Sequence, residues 1–143
     1  MKIFVQGLWH CGCVISTCLA SLKNNVTAYD DNKNNINKLK KNIPPIFEPN
    51  LKDLIETSTK AGNLTFVHNL KKLNLANIVW FAYDTPVNEY DQANTKYVLD
   101  KIKKTLKKLK PNKLVIISSQ LPVGSIKLLE IYSKNIYFFF RFF

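Results

Sequence analysis

Short apolar runs recur along the 143-residue chain, and several are continuous rather than alternating with polar residues. Continuous runs of this kind are typical of parallel strands that are buried on both faces of a sheet. The pattern predicts six strands, at residues 3–6, 26–30, 64–67, 78–82, 114–118 and 136–140.

Segments with apolar residues at helical spacing lie between these strands, at residues 13–22, 34–41, 50–60 and 94–110. In the last segment Val98, Ile102, Leu106 and Leu109 share one face, and lysines cover the other. Alternating strands and helices predict an α/β fold with right-handed crossovers. We therefore expect a Rossmann-like, doubly wound parallel sheet of about six strands in a three-layer αβα arrangement.

The first strand leads into a glycine-containing turn, Gly7-Leu8-Trp9-His10-Cys11-Gly12. Dinucleotide-binding turns follow the pattern G-x-G-x-x-G, and Trp9 stands at the second glycine position. Gly7 tolerates a positive φ, Gly12 lets the helix start close to the strand, and the helix N-terminus offers N–H groups to a pyrophosphate. Trp9 fits only with a negative φ and an indole turned away from the phosphates. The alternative is a vestigial loop that binds nothing.

Asp30 ends the second strand, 18 positions after Gly12. A carboxylate at this position accepts hydrogen bonds from the adenosine ribose and favours NAD over NADP. The alternative is a turn residue at the end of a strand, since Asp31 and Asn32 follow it.

Composition adds limits to this picture. The apolar content of 46% is that of one globular domain, and the net charge of +11 suits anionic small molecules as well as nucleic acid. We interpret the lysine-rich helix face as solvated surface. Three cysteines within eight residues favour a reducing, cytoplasmic location over a disulfide framework. They are too few and too close for a zinc site, so we expect no metal, and no apolar stretch is long enough to span a membrane.

Four motifs resemble one known family. They are the turn from Gly7 to Gly12, residues 45–51 (Pro-Ile-Phe-Glu-Pro-Asn-Leu), residues 82–89 (Ala-Tyr-Asp-Thr-Pro-Val-Asn-Glu) and residues 118–124 (Ser-Ser-Gln-Leu-Pro-Val-Gly). Together they resemble the N-terminal NAD-binding domain of UDP-glucose/GDP-mannose dehydrogenases, in a branch with tryptophan at the middle glycine position. The resemblance extends to about residue 139.

That resemblance implies an oxidoreductase that converts the sugar 6-hydroxyl of a nucleotide sugar to a uronic acid with two NAD. It implies no catalytic residue in this chain, and cofactor contacts by Gly7, Trp9, His10, Cys11, Gly12, Asp30, Thr85 and Pro86. Two positions depart from the family pattern. Gln120 stands where many members carry a threonine that helps to position water, which makes Gln120 a candidate for that role, and Asn35 aligns with a basic residue.

The family continues into a second domain with a catalytic cysteine, lysine and asparagine, which these 143 residues do not contain. We therefore expect an NAD-binding domain at 1–140, an aberrant or truncated tail at 141–143, no substrate domain, and no turnover by this chain. The nucleotide sugar would be a partner only of a full-length form. Alternatives are a vestigial Rossmann fold, another NAD-dependent dehydrogenase, which the Glu48-Pro49 and 120–124 segments disfavour, and a basic nucleic-acid-binding module.

Overall fold

A computed structural model describes residues 1–132 and 137–140. It contains six parallel strands: β1 (Lys2–Gln6), β2 (Asn25–Tyr29), β3 (Leu64–Val67), β4 (Ile78–Phe81), β5 (Leu114–Ile117) and β6 (Tyr137–Phe140). They form a single sheet in the order β3-β2-β1-β4-β5-β6. This is the order of a two-half dinucleotide fold, so the predicted doubly wound sheet of about six strands is confirmed. The tail at 141–143 lies outside the described residues.

Within the described ranges, five helices accompany the sheet: α1 (His10–Ser21), α2 (Lys33–Leu39), α3 (Leu51–Lys60), α4 (Thr95–Leu106) and α5 (Ser125–Glu130). A short 3-10 helix, Leu73–Leu75, precedes β4. The sequence predicted neither this element nor α5. Six residues are fewer than two helical turns, too few for an apolar period to show.

The predicted end of the fourth helix at residue 110 is wrong, because α4 stops at Leu106. A contact from outside the helix accounts for the early end. The Asn74 side chain donates to the carbonyl of Lys108 (3.0 Å) and accepts from the N–H of Lys110 (2.8 Å). These two bonds fix the backbone at Lys108 and Lys110 in a non-helical path, so the helix ends before the lysine-rich run does.

The core has two parts, one on each face of the sheet. Successive residues of β1 serve opposite faces, since Ile3 and Val5 belong to one cluster and Phe4 to the other. The first cluster includes buried residues of α1, α2 and α3, and the second those of α4 and α5. Burial on both faces explains the continuous apolar runs in the strands.

The sheet order places β1 and β4 side by side at its centre. The chain leaves β1 toward one side of the sheet and β4 toward the other, which opens a crevice outside their carboxyl ends. Within the described residues, no helix combines the length and the apolar character that a membrane span requires.

Candidate functional site

The turn between β1 and α1 requires glycine at both of its ends. Gly7 has a φ of +88°, and a Cβ built on it would lie 2.7 Å from a ring carbon of Tyr83. A Cβ on Gly12 would lie 1.7 Å from the carbonyl oxygen of Gly7. Helix α1 therefore begins in contact with the turn itself, an approach that no side chain at Gly12 would permit.

Two side chains hold the Leu8 peptide between these glycines. The Leu8 N–H donates to Asp30 Oδ2 (2.8 Å), and its carbonyl accepts from Asn35 Nδ2 (2.9 Å). Asp30 Oδ1 accepts from the N–H of Asn32 (2.9 Å). Each carboxylate oxygen can accept more than one hydrogen bond, so the Asp30 carboxylate retains capacity for ribose hydroxyls while it fixes the turn.

Trp9 occupies the N-cap position of α1 with a φ of −81° and makes no side-chain capping bond. Its φ meets the requirement for a non-glycine residue at the second position of the pattern. The side chain is 55% exposed, so the indole lies at the surface of the turn. The backbone N–H of His10, the first of α1, hydrogen-bonds the Asp84 carboxyl, so an anionic ligand at this helix start would lie beside Asp84.

Charged groups surround this helix start. His10 Nε2 forms a 2.8 Å hydrogen bond with Oε1 of Glu48, from the loop that precedes α3. Desolvation raises the pKa of the Asp84 carboxyl, against smaller opposing effects of the His10 charge and of backbone N–H groups. An acidic group thus lies close to the place where a pyrophosphate would bind, and the Glu48-Pro49 segment reaches the same helix start.

The cysteines of α1 are free thiols. Desolvation raises the pKa of Cys11, with a further contribution from Asp84, and burial raises the pKa of Cys13 to about 12. Both thiols are therefore protonated near neutral pH and are poor nucleophiles. In the described part of the chain, no three His, Cys, Asp or Glu side chains are arranged to hold a metal ion.

Thr85 and Pro86 follow β4 and line the crevice. The Thr85 hydroxyl donates to the carbonyl of Gln120 (3.0 Å), which ties the turn after β4 to the turn after β5. The Gln120 side chain is exposed and does not line the crevice. The structure thus brings Thr85 and Pro86 next to the glycine turn. Gln120 contributes only its backbone carbonyl, which accepts the hydrogen bond from Thr85.

The crevice consists of two adjoining compartments. One, of about 380 Å³, extends from Gly7 and Leu8 to Thr85 and Pro86. The other, of about 330 Å³, extends over Asn34, Asn35, Lys38 and Pro45. Four residues line both compartments: Trp9, Asp30, Asp31 and Tyr97. Together they form an elongated open groove along the carboxyl ends of β2, β1 and β4.

The residues present fit a dinucleotide. The glycine turn is a cradle that a Cβ would fill, the start of α1 lies against this turn, and the Asp30 carboxylate directly follows β2. An elongated two-compartment groove matches an elongated ligand better than a compact one.

Sequence reasoning missed three groups at the site, namely Tyr97, Asp84 and the contact of Glu48 with His10. Tyr97 lies on the first turn of α4, outside any motif, and only the packing of α4 brings it to the groove. Asp84 immediately precedes the recognised Thr85-Pro86 pair, so its place in that motif was an available signal. No local signal connects Glu48 to a residue 38 positions earlier.

Comparisons with known proteins identify the family. Residues 1–136 match the family model for the NAD-binding domain of the UDP-glucose/GDP-mannose dehydrogenase family. The UDP-glucose 6-dehydrogenase YwqF of Bacillus subtilis is 33% identical over 131 residues, which are 91% of this chain and 30% of that protein. The chain thus spans less than a third of the length of the curated relatives it matches.

Solved structures give the same fold. A ternary complex of GDP-mannose dehydrogenase from Pseudomonas aeruginosa aligns with a TM-score of 0.86 at 20% identity, over 99% of this chain and 36% of that one. The UDP-D-ManNAc dehydrogenase of Pyrococcus horikoshii aligns with a TM-score of 0.85 at 25% identity, over 99% and 35% of the two chains. The resemblance in the four motifs is confirmed. The chain belongs to the UDP-glucose/GDP-mannose dehydrogenase family, as its NAD-binding domain, and its cofactor is NAD.

Proposed function

We propose that these residues bind NAD in the groove, through Gly7, Trp9, His10, Cys11, Gly12, Asp30, Thr85 and Pro86. One observation carries the proposal: the Leu8 N–H donates to Asp30, so the carboxylate that receives the ribose also fixes the turn that receives the phosphates. Gly12 lets α1 start against this turn, and the first backbone N–H groups of α1 face the negative charge of the ligand.

The acidic residues at the end of β2 select between the two nicotinamide dinucleotides. Asp30 and Asp31 line the groove at the ribose position. Asp31 forms an ion pair with Lys101, so a 2′-phosphate there would meet the Asp30 carboxylate as the uncompensated negative charge, and like charges at close range repel one another. Bound NAD supplies a hydride acceptor, and the groove residues of this chain hold and orient it.

Isothermal titration of the 143-residue chain tests the proposal. We expect saturable binding of NAD with a dissociation constant below about 1 mM, and roughly tenfold or greater weakening for NADP. Absence of NAD binding at millimolar concentration would leave the vestigial loop as the correct interpretation. Equal affinities for NAD and NADP would show that Asp30 does not contact the adenosine ribose.

We further propose that the protein acts in the oxidation of a nucleotide sugar. The family match and the UDP-glucose 6-dehydrogenases among the relatives support this activity. For the 143-residue chain we expect no formation of NADH from NAD and UDP-glucose. Among the described residues that line the groove there is no cysteine, and the pKa of both nearby thiols, Cys11 and Cys13, is raised. Absorbance at the NADH band measures this, and steady NADH production would contradict it.

The free thiols bear on the location of the protein, and the surface charge bears on its partners. Free cysteines are typical of a reducing compartment, and we place the protein in the cytoplasm. Of the lysines of α4, Lys96 and Lys104 are exposed, whereas Lys101 and Lys103 are partly buried and contact neighbouring side chains. We therefore propose neither nucleic acid nor a membrane as a partner of this face.

A further inference from the structure

Two exposed aromatic rings, those of Trp9 and Tyr97, line the same parts of the groove as Asp30. Trp9 is 55% exposed and Tyr97 is 40% exposed, and both line both compartments. Within residues 1–132 no aromatic ring stacks on the Trp9 indole. Large aromatic surfaces left open at a ligand groove are characteristic of binding sites, because they gain most when a ligand covers them.

The Tyr97 ring is held in place from the protein side. Lys101 Nζ lies 5.0 Å from the centroid of the Tyr97 ring, and Lys101 also forms an ion pair with Asp31. The Tyr97 N–H donates to Asn94 Oδ1 (3.1 Å), the cap of α4. A ring anchored in this way loses little conformational entropy when a ligand binds against it.

Trp9 is held through its backbone neighbour. Asp30 and Asn35 hydrogen-bond the N–H and the carbonyl of Leu8, so the backbone from which the Trp9 side chain extends is fixed. Trp9 lines the compartment of Gly7 and Leu8 as well as that of Asn34, Asn35 and Lys38. Its side chain makes no capping bond to α1, so the indole is available to a part of the ligand other than the phosphates.

We propose that Trp9 and Tyr97 form an aromatic subsite for the adenine base. The proposal rests on the proposed binding of NAD in this groove. Asp30 is the ribose acceptor, and a base joined to that ribose must lie within a few ångströms of it, in the space that Trp9 and Tyr97 line. Asn34 and Lys38 supply polar groups for the edge of the base, while the rings supply its faces. Trp9 is then a ligand-binding residue rather than a defect in the glycine pattern.

Binding of NAD fragments to matched variants tests this subsite. ADP-ribose carries the adenine half, and nicotinamide mononucleotide carries the other half. We expect Trp9→Ala to weaken ADP-ribose and NAD by roughly five- to 150-fold, the range of base–aromatic stacking, and to leave the mononucleotide unchanged. Trp9→Phe and Tyr97→Phe keep a ring and retain most of the affinity, whereas Tyr97→Ala does not. Tyr90→Ala, an exposed tyrosine that lines neither compartment, is the control.

Fluorescence gives a second readout that a change in folding alone would not produce. The chain has two tryptophans, and Trp80 is partly buried with its Nε1–H bonded to Ser118 (2.6 Å). Trp80→Phe leaves Trp9 as the single emitter, and ADP-ribose is expected to quench its emission with the titration midpoint found by calorimetry. In Trp9→Phe, the emission of Trp80 is expected to change little when ADP-ribose is added.

The outcomes separate this inference from the proposed function. If the wild-type chain binds neither NAD nor ADP-ribose, the proposed function fails and the subsite falls with it. If the wild type binds ADP-ribose and Trp9→Ala binds it within twofold, the subsite alone is wrong. Tighter binding by Trp9→Gly would show that the indole obstructs the groove. Selective loss of the mononucleotide would assign the rings to nicotinamide and overturn the adenine subsite.

Discussion

Gly12→Ala is the sharpest test of the turn geometry. The added Cβ would lie 1.7 Å from the Gly7 carbonyl oxygen and 2.8 Å from its carbonyl carbon, whereas real Cβ contacts essentially never fall under 3.0 Å. The neighbour is backbone, and the Gly7 N–H is bonded to the carbonyl of Tyr29 (3.1 Å), so it cannot rotate aside as a side chain would. Helix α1 and the turn must therefore separate by more than ~1 Å, a shift large enough to disrupt a preorganised site.

Overpacking of a well-packed core costs about 1–3 kcal/mol, and contact with fixed backbone places this change near the upper limit. Urea denaturation is expected to show about 3 kcal/mol less free energy of unfolding, and calorimetry at least a tenfold loss of NAD affinity. Gly62→Ala is the matched control. Gly62→Ala adds a Cβ that meets nothing within 4 Å, although Gly62, unlike Gly12, has a positive φ (+75°). It should cost about 1–2 kcal/mol in backbone strain and leave NAD binding unchanged.

Two results would refute this reasoning. A Gly12→Ala protein with wild-type stability would mean that α1 does not start against the turn. A destabilised variant with unchanged NAD affinity would mean that the turn does not contact the cofactor.

Three further predictions follow from individual side chains. Asp30→Asn is expected to weaken NAD roughly tenfold or more, because it removes a charge-assisted acceptor, while the exposed Asp100→Asn leaves calorimetric affinity unchanged; equal losses would point to general electrostatics. Asp84 has a raised pKa in the folded chain, so its contribution to stability is present at low pH and lost as pH rises through that pKa. Asp84→Asn should stabilise the chain at neutral pH and flatten the acid side of its pH–affinity profile, and an unchanged profile would remove Asp84 from the site. Cys13 is buried with a pKa of about 12, so mass spectrometry should find iodoacetamide on the exposed Cys18 of the native chain, with Cys13 modified only in urea; native labelling of Cys13 would contradict its burial.

The local sequence pattern predicted the positions of the strands and of most helices, because each of these elements is visible within one stretch of sequence. The strand runs and the helical spacing in α3 and α4 each follow from one stretch of sequence. The end of α4 could not be predicted in this way, since Asn74 reaches it from 34 residues away along the chain. Helix α5 was missed because six residues carry too little periodicity.

The candidate site divides in the same way. Gly7, Gly12 and Asp30 are identifiable from spacing alone, because a phosphate-binding turn demands those residue types at those positions. The association of His10 with Glu48 and the approach of Tyr97 to the groove depend on how separate elements pack. Sequence separation gives no measure of such contacts.

By itself the sequence determined the alternation of strands and helices, the glycine turn and the acidic end of β2, and hence a dinucleotide fold. These features are local, and each residue's requirement for backbone freedom, burial or charge is visible in its neighbours. The tertiary structure decided what Trp9 does in that turn. A clamp from Asp30 and Asn35 and a helix start against Gly7 leave its indole exposed beside Tyr97. That outcome depends on residues up to 88 positions apart, which only the packed sheet and helices bring together.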